Sequence, residues 1–246
     1  PLLWRLLDQL LAAGFFRIVA ATTPRLEPQI RDSVAGYLRT TSQEADIAVV
    51  GTPEQHRGVV FGLARLLERW PVERCLVCLG DIFFLANPFP AFRQLVESDT
   101  GFLGVGPATF AEELRLGGLV YEEDGRVLSI VERPASAVAG GPLRWSGIAL
   151  FHRHPALEDV ESFVADAPDD PPPGDFFEFQ RRRGRDLRCV PGPDFVNVNS
   201  PDQHLLSCLY ARLEAESADG ALSTSLRSAA AALRLSVACR PRPEAR

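Results

Sequence analysis

Short apolar runs alternate with amphipathic helical patterns through the first 80 residues, and this alternation is the feature that most constrains the fold. Residues 2–12 place leucine at the i, i+3, i+4, i+7 and i+8 positions of a helix, which Gly14 ends. Strand-like and helical patterns then alternate at 16–21, 24–38, 47–50, 58–70 and 74–79. This order is typical of parallel βαβ units. No strand precedes the first helix, which predicts that a leading strand of the sheet is missing.

The middle of the chain has a different pattern. Glu123-Asp124-Gly125 is typical of a hairpin turn between two strand-like segments, so part of the sheet is expected to be antiparallel. The strand-like segments are 101–106, 116–121, 126–131, 143–151 and 187–190. Helical patterns lie at 175–183, 202–216 and 223–238. We therefore predict a mixed sheet.

Charge and hydropathy exclude several classes of partner. The formal net charge is −6, and the only basic cluster is the arginine run at 181–185, which we interpret as a hydrated helix end. This balance does not favour a nucleic-acid partner. No apolar stretch reaches the length of a membrane span, so no membrane partner is expected.

The five cysteines do not form a disulfide or zinc pattern. Cys75 and Cys78 have Cys-x-x-Cys spacing but lie in an apolar run, where cysteine acts as a small hydrophobic residue. A second such pair, needed for zinc, is absent from the sequence. The odd count fits a reducing compartment, and we predict a cytoplasmic location.

Two segments carry oxygen ligands at the ends of predicted strands. Asp81 directly follows the strand at 74–79, and ligands of parallel sheets bind beyond such ends. The alternative is that Asp81 only caps the next turn. Asn197 and Asn199 alternate with valines, and Ser200-Pro201 is typical of a helix start. This second segment is either a ligand site or a capped helix without one.

Two further segments could bind anions or sugars. Glu132 and Arg133 are adjacent at the end of a strand, where they could grip a hydroxyl and a phosphate or form a surface charge pair. Residues 51–58 form a polar loop that opens a helix at Gly58, and the backbone of such a start binds phosphate. The loop lacks a glycine-rich phosphate motif, so this signal is weak.

The order of these segments resembles the sugar-phosphate nucleotidyltransferases over about residues 1–210. The resemblance places Gly80-Asp81 at the Gly-Asp that holds magnesium in the family. The other matching positions are the segment after Pro1, Gly58, Gly118-Leu119-Val120, Glu132-Arg133-Pro134, Ser146-Gly147-Ile148 and Asn197 to Asp202. The resemblance implies an α/β fold, a Rossmann-like three-layer sandwich with a mixed, mostly parallel central sheet, in residues 1–210. Residues 211–246 are left as a C-terminal helical extension and tail.

The resemblance also implies a reaction and its residues. An oxygen of a sugar 1-phosphate would attack the α-phosphorus of a nucleoside triphosphate and release pyrophosphate. Asp81 and Asn197 would hold Mg²⁺, with Asp81 and Arg133 as the catalytic residues. Glu132 would bind sugar hydroxyls and Arg133 the sugar phosphate. Four glycines would complete the substrate site, and they are Gly58, Gly80, Gly118 and Gly147. Of these, Gly118 and Gly147 would let the sugar approach the backbone.

Three departures from the family bear on activity. The glycine-rich loop and the lysine that wrap the triphosphate are absent, Arg133 replaces a lysine, and Asn197 replaces a second aspartate. We therefore expect impaired turnover in this form. One alternative is a non-catalytic sugar-nucleotide-binding protein. A second is a molybdenum-cofactor-type nucleotidyltransferase, whose Asn-x-Asn-Thr-Pro segment resembles residues 197–201.

Overall fold

A computed structural model describes residues 2–42, 44–107, 118–132 and 142–215. The helices in these residues are α1 (Leu2–Ala12), α2 (Glu27–Thr40), α3 (Val59–Arg69), α4 (Phe89–Leu95), α5 (Arg153–Asp166), α6 (Pro173–Arg182) and α7 (Pro201–Ala215), with a short 3-10 helix at Pro53–Arg57. The strands are β1 (Arg17–Thr22), β2 (Asp46–Gly51), β3 (Arg74–Cys78), β4 (Ile82–Phe84), β5 (Gly101–Gly106), β6 (Gly118–Glu123), β7 (Arg126–Glu132), β8 (Leu143–His152), β9 (Leu187–Pro191) and β10 (Phe195–Asn197). Arg133 and the helical pattern at 223–238 lie outside the described residues.

The predicted elements up to residue 80 are confirmed to within three residues at each end. Gly14 has a φ of 86°, as expected for a glycine that ends a helix. Asp124 and Gly125 both have positive φ, which confirms the hairpin turn between β6 and β7. Five elements are absent from the prediction, and they are α4, α5, β4, β10 and the 3-10 helix at Pro53–Arg57.

The described strands form three sheets. The largest has the order β3-β8-β5-β9-β7-β6, and β6 also pairs with β8, so five of its strands form a closed cycle. β1 pairs with β2, and β4 pairs with β10. A mixed sheet is therefore confirmed.

The predicted predominance of parallel strands is wrong for the described residues. Among the described strands, only β1 with β2 and β5 with β9 pair in parallel. The reason is the ten-residue strand β8, which runs antiparallel to both β3 and β5 and inserts between them. The β6–β7 hairpin adds a further antiparallel ladder.

Helices cover both faces of the largest sheet. Along β8, Ala149 and Phe151 pack with α3, α5 and α6, whereas Ile148 and Leu150 pack with α1 and α4. This alternation follows from the two-residue period of a strand. A separate cluster joins α1 and α2 to β1 and β2. The strands that carry the predicted site residues are thus held from both sides.

The arginine run after α6 is not a free hydrated helix end, as the sequence suggested. Arg185 donates from Nε and Nη2 to the two carboxylate oxygens of Asp159, at 2.7 and 2.9 Å. Arg183 Nε lies 3.1 Å from the same carboxylate, which is fully buried in α5. Arg181 and Arg182 pair with Glu178, which lowers the pKa of that carboxyl to about 2. The run is therefore neutralised locally and ties α6 to α5.

The cysteines of the described residues are consistent with their predicted packing role. Cys75 and Cys78 are free thiols in β3, and burial raises their pKa to about 11 and about 12, respectively. Across the described ranges, no group of three His, Cys, Asp or Glu side chains could hold a metal ion. No helix there is long and apolar enough to cross a membrane.

Candidate active site

A short antiparallel ladder brings together the two strand ends that carry Asp81 and Asn197. Asp81 lies between β3 and β4, and β4 pairs with β10 so that Ile82 is opposite Asn197. The Val198 backbone N–H donates to the Asp81 carbonyl oxygen at 2.7 Å. Residues 116 positions apart in the chain are therefore backbone neighbours, as the sequence predicts for a shared site.

The Asp81 carboxyl group is in an environment that disfavours its charged form. The residue is half-buried, and desolvation raises its pKa above the ordinary value, although a hydrogen bond to its own backbone N–H opposes this. No arginine of the described residues forms an ion pair with it. A cation bound here would therefore offset the cost of burying the ionised Asp81 carboxylate.

The Asn197 side chain is held by its own segment. Asn199 Nδ2 donates to Asn197 Oδ1 at 2.6 Å, which leaves that oxygen available as a further acceptor. The Ser200 hydroxyl accepts from the Gln203 N–H at 3.2 Å, and Pro201 is the first residue of α7. The predicted capped helix is confirmed, and it coexists with an oriented amide rather than excluding a ligand role.

Both side chains carry oxygen atoms of the kind that a hard cation binds. Mg²⁺ prefers oxygen ligands, keeps several of its waters and is commonly held by one or two carboxylates together with substrate phosphates. Asp81 supplies one carboxylate, which has no arginine partner among the described residues, and Asn197 supplies one amide oxygen. The residues present therefore fit a magnesium ion shared with a substrate.

Gly147 lies directly against the turn that carries Asp81. Its carbonyl accepts the Leu79 N–H at 2.9 Å, and its φ is 78°. A Cβ on Gly147 would lie 3.0 Å from Ile82 Cγ1, so glycine is required by both conformation and space. Gly80 is exposed with open space around it, which makes the backbone accessible beside Asp81.

Glu132, at the end of β7, contacts the first turn of α6. Its Oε1 accepts the Gly174 backbone N–H at 2.8 Å, one of the N–H groups that a helix start leaves without an internal partner. A Cβ on Gly118, the first residue of β6, would lie 3.0 Å from the same oxygen. The structure thus brings together two of the predicted sugar-contacting residues, Glu132 and Gly118.

Arg144 of β8 lies next to β6, which begins at Gly118, and to Phe195 of β10, and the sequence reasoning missed it. It pairs in register with Leu119 of β6 and lies three residues before Gly147 in β8. The side chain is 8% exposed, and its guanidinium lies 4.5 Å from the centroid of the Phe195 ring in β10. A single charged residue in an otherwise apolar strand is the signal that could have identified it.

Gly58 is covered by the loop that contains Asp169 and Asp170, to which the sequence analysis assigned no role. Asp170 donates its N–H to the Arg57 carbonyl, and Arg57 Nε donates to Asp169 Oδ1, both at 2.7 Å. A Cβ on Gly58 would lie 3.0 Å from Asp170 Cα and Oδ1. A carboxylate of the chain itself therefore lies near the start of α3, where the sequence suggested phosphate. The same loop leads into α6, whose first turn donates the Gly174 N–H to Glu132, so the loop lies between Gly58 and Glu132 in the chain.

Comparison with known proteins identifies the fold. No family model matches the chain, and no curated protein is similar to it. Among solved structures, it is similar to a candidate glucose-1-phosphate thymidylyltransferase from Bacillus anthracis, with a TM-score of 0.71 and 13% identity over 86% of this chain and 82% of that one.

Two further structures are similar to the same extent. The inositol-1-phosphate CTP transferase from T. maritima has a TM-score of 0.67 and 15% identity, over 86% of this chain and 82% of that one. The UDP-glucose pyrophosphorylase from Acinetobacter baumanii has a TM-score of 0.69 and 14% identity, over 96% and 88%. Similarity at this level of identity shows the fold, and the chain therefore has the fold of the sugar-phosphate nucleotidyltransferases.

Proposed function

We propose that this chain is a nucleotidyltransferase that joins a nucleoside triphosphate to a sugar 1-phosphate and releases pyrophosphate. The observation that carries the proposal is the β4–β10 ladder, which makes Asp81 a backbone neighbour of the strand end at Asn197. The shared fold supports it, since the similar structures are named for nucleotidyl transfer to sugar or inositol phosphates or for UDP-glucose.

The reaction requires little covalent chemistry from the protein. A phosphate oxygen of the sugar 1-phosphate attacks the α-phosphorus, the bond to the bridging oxygen breaks, and pyrophosphate leaves with that oxygen. Positioning and charge stabilisation supply the rate enhancement. Glu132 accepts sugar hydroxyls, Arg133 contacts the sugar phosphate, and Gly118 and Gly147 allow the sugar to approach the backbone.

Asp81 and Asn197 would hold a magnesium ion, which when bound would neutralise charge on the reacting phosphates. Gly80 provides an open backbone position beside them, and Gly58 contributes to the substrate site through the loop that joins it to Glu132. This assignment is supported by the Asp81 carboxylate, which is half-buried and has no arginine partner in the part of the chain that the structure describes.

We further infer that the sheets form one central layer of a Rossmann-like three-layer sandwich in residues 1–210, with 211–246 as an extension. The two apolar clusters on opposite faces of β8 support this layering. We also propose a cytoplasmic location, which the free thiols of the described residues support.

The direct test is pyrophosphate release from a matrix of nucleoside triphosphates and sugar 1-phosphates, with Mg²⁺ present. Turnover with one combination, dependent on both substrates, supports the proposal. The non-catalytic alternative is supported instead if the chain binds a nucleotide sugar but neither releases pyrophosphate in the forward reaction nor consumes it in the reverse reaction. Calorimetry on the same samples separates the two outcomes.

Gly174→Ala is expected to weaken sugar 1-phosphate binding about tenfold, because it displaces Glu132 without altering its charge. An added Cβ would lie 2.8 Å from Glu132 Cδ and Cγ, so the carboxylate must move away from the helix start. The dissociation constant, measured by calorimetry, does not depend on turnover. Gly192→Ala is the matched control, since its Cβ would only meet the Val105 carbonyl oxygen at 3.6 Å. Equal affinity in both variants would remove Glu132 from the sugar site.

A further inference from the structure

Trp145 of β8 lies beside the residues proposed for the sugar, and the sequence analysis assigned it no role. β6 pairs with β7 on one side and with β8 on the other. Gly118 is opposite Glu132 in the first ladder, and Leu119 is opposite Arg144 in the second. Because the second ladder is antiparallel, its next step places Gly118 opposite Trp145. Glu132, Gly118 and Trp145 thus form a row across three neighbouring strands.

The side chains of this row project from one face of the sheet, as residues opposite each other in neighbouring strands do. Its two ends are about 10 Å apart, because neighbouring strands lie about 4.8 Å apart. Gly118, in the middle, has no side chain, and Glu132 leans over it, since a Cβ on Gly118 would lie 3.0 Å from Glu132 Oε1. The row therefore sets a carboxylate and the Trp145 indole on either side of a glycine.

One face of α6 contacts both ends of the row. Gly174, in the first turn of α6, donates its N–H to Glu132 Oε1 at 2.8 Å. Phe177 is three residues later and therefore on the same face of the helix. Its ring meets the Trp145 ring edge to face, with centroids 5.2 Å apart and an interplanar angle of 65°. The contacts of α6 thus agree with the register in placing Glu132 and Trp145 on one face.

The Trp145 ring is held in one orientation. Its Nε1 donates to the Ile148 carbonyl at 2.9 Å, across the shift in register between β8 and β5 that contains Gly147. The residue is nevertheless only half-buried, whereas its neighbours Arg144 and Ser146 are buried. An aromatic ring that is already fixed loses little conformational entropy when a ligand covers it. Trp145 therefore has the properties of a binding surface.

We propose that the sugar ring of the substrate stacks on Trp145, so that the site selects cyclic over open-chain sugar phosphates. The face of an aromatic ring carries negative charge density, and the C–H groups of a pyranose are weakly positive, so the two surfaces attract each other. Glu132, at the other end of the row, accepts hydroxyls at the edge of the sugar. This inference rests on the proposed function and adds to it a residue that recognises the shape of the sugar.

Calorimetry with a cyclic and an open-chain ligand tests the proposal. The cyclic ligand is whichever of the 1-phosphates of glucose, galactose, mannose and N-acetylglucosamine the unsubstituted chain binds most tightly. The open-chain ligand is glucitol 6-phosphate, which has a phosphate and hydroxyls but no ring. The unsubstituted chain should prefer the cyclic ligand at least about tenfold, and Trp145→Phe should keep about a threefold preference. Trp145→Leu, which keeps an apolar side chain without a ring, should bind both ligands equally.

Tryptophan emission tests the same contact, and it decides the question with Trp145→Phe if Trp145→Leu fails to fold. The chain has three tryptophans, and Trp70, at the carboxyl end of α3, provides the matched control. Saturation with the cyclic ligand should change the emission of the unsubstituted chain and of Trp70→Phe equally. It should leave the emission of Trp145→Phe unchanged.

Two results would overturn the inference and leave the proposed function standing. One is an equal loss of affinity for both ligands in Trp145→Leu, which would make Trp145 a structural residue. The other is an emission change that Trp145→Phe retains. If none of the four sugar 1-phosphates bound and no pyrophosphate were released, the proposed function itself would fail, and this inference would fail with it.

Discussion

Asp81→Asn is expected to reduce pyrophosphate release by at least about 100-fold while leaving the fold intact. The substitution removes the negative charge but keeps the size of the side chain, at a position where no arginine of the described residues would lose a partner. The loss therefore isolates the carboxylate's role towards a cation and the reacting phosphates. Pyrophosphate release under saturating substrates measures it.

The same variant is expected to be more stable than the parent at pH 7 without metal. Burial raises the pKa of Asp81, so the folded state prefers the protonated carboxyl. The resulting cost is absent at low pH and grows as the pH rises from the unfolded value of 3.8 through the raised folded value. Asparagine avoids this cost, and the difference in Tm between the parent and Asp81→Asn should vanish in acid.

A divalent cation should reverse the order of stability of the parent and the Asp81→Asn variant. Mg²⁺ is expected to raise the Tm of the parent but not that of Asp81→Asn, because binding to the folded state alone stabilises it. Asp99→Asn is the control, since that carboxylate is 98% exposed and lies near the opposite end of β3. A parent whose Tm ignores Mg²⁺, or a variant that retains full activity, would contradict the assignment.

Asp159→Ala is expected to lower the free energy of unfolding by about 2–3 kcal/mol, somewhat less than the loss of a fully enclosed ion pair. The carboxylate is fully buried, accepts hydrogen bonds from Arg185 and Gln180, and forms an ion pair with Arg183. Removing it leaves two guanidinium groups without their partner. Their side chains are 43% and 34% exposed, so water recovers part of the cost. Urea denaturation measures the change.

Glu158→Ala provides the matched control for this prediction. Glu158 is the neighbouring residue, is 67% exposed and lies 3.6 Å from Arg185 Nη2. Exposed ion pairs of this kind contribute about 0–1 kcal/mol, so the control should change stability little. If Asp159→Ala and Glu158→Ala lost equal stability, the arginine run would contribute no more to stability than hydrated surface residues do.

The sequence predicted the alternating elements well because their patterns are local. Each element from α1 to β3 has an apolar period that is set by residues close together in the chain. α5 was missed because Asp159 falls on its buried face and breaks the apolar period. The arginines that make this burial tolerable come from the turn after α6, and no local pattern contains that information.

Strand direction was the weakest part of the prediction for a similar reason. The sequence of β8 shows a strand but not that it runs antiparallel between β3 and β5. β4 and β10 have three residues each, too few for a period to be visible. Their pairing brings the segments of Asp81 and Asn197 together, and the sequence could suggest these two residues as ligands but not the ladder that joins their segments.

The unequal accessibility of the thiols has a practical consequence for spectroscopy. Cys75, Cys78 and Cys189 all have a pKa of about 11 or 12, so they carry almost no thiolate at neutral pH. Cys208 is exposed on α7, the helix that starts directly after the Asn197 segment. Once Cys239 is replaced by serine, a maleimide dye should attach at position 208 and report substrate binding by a change in its emission.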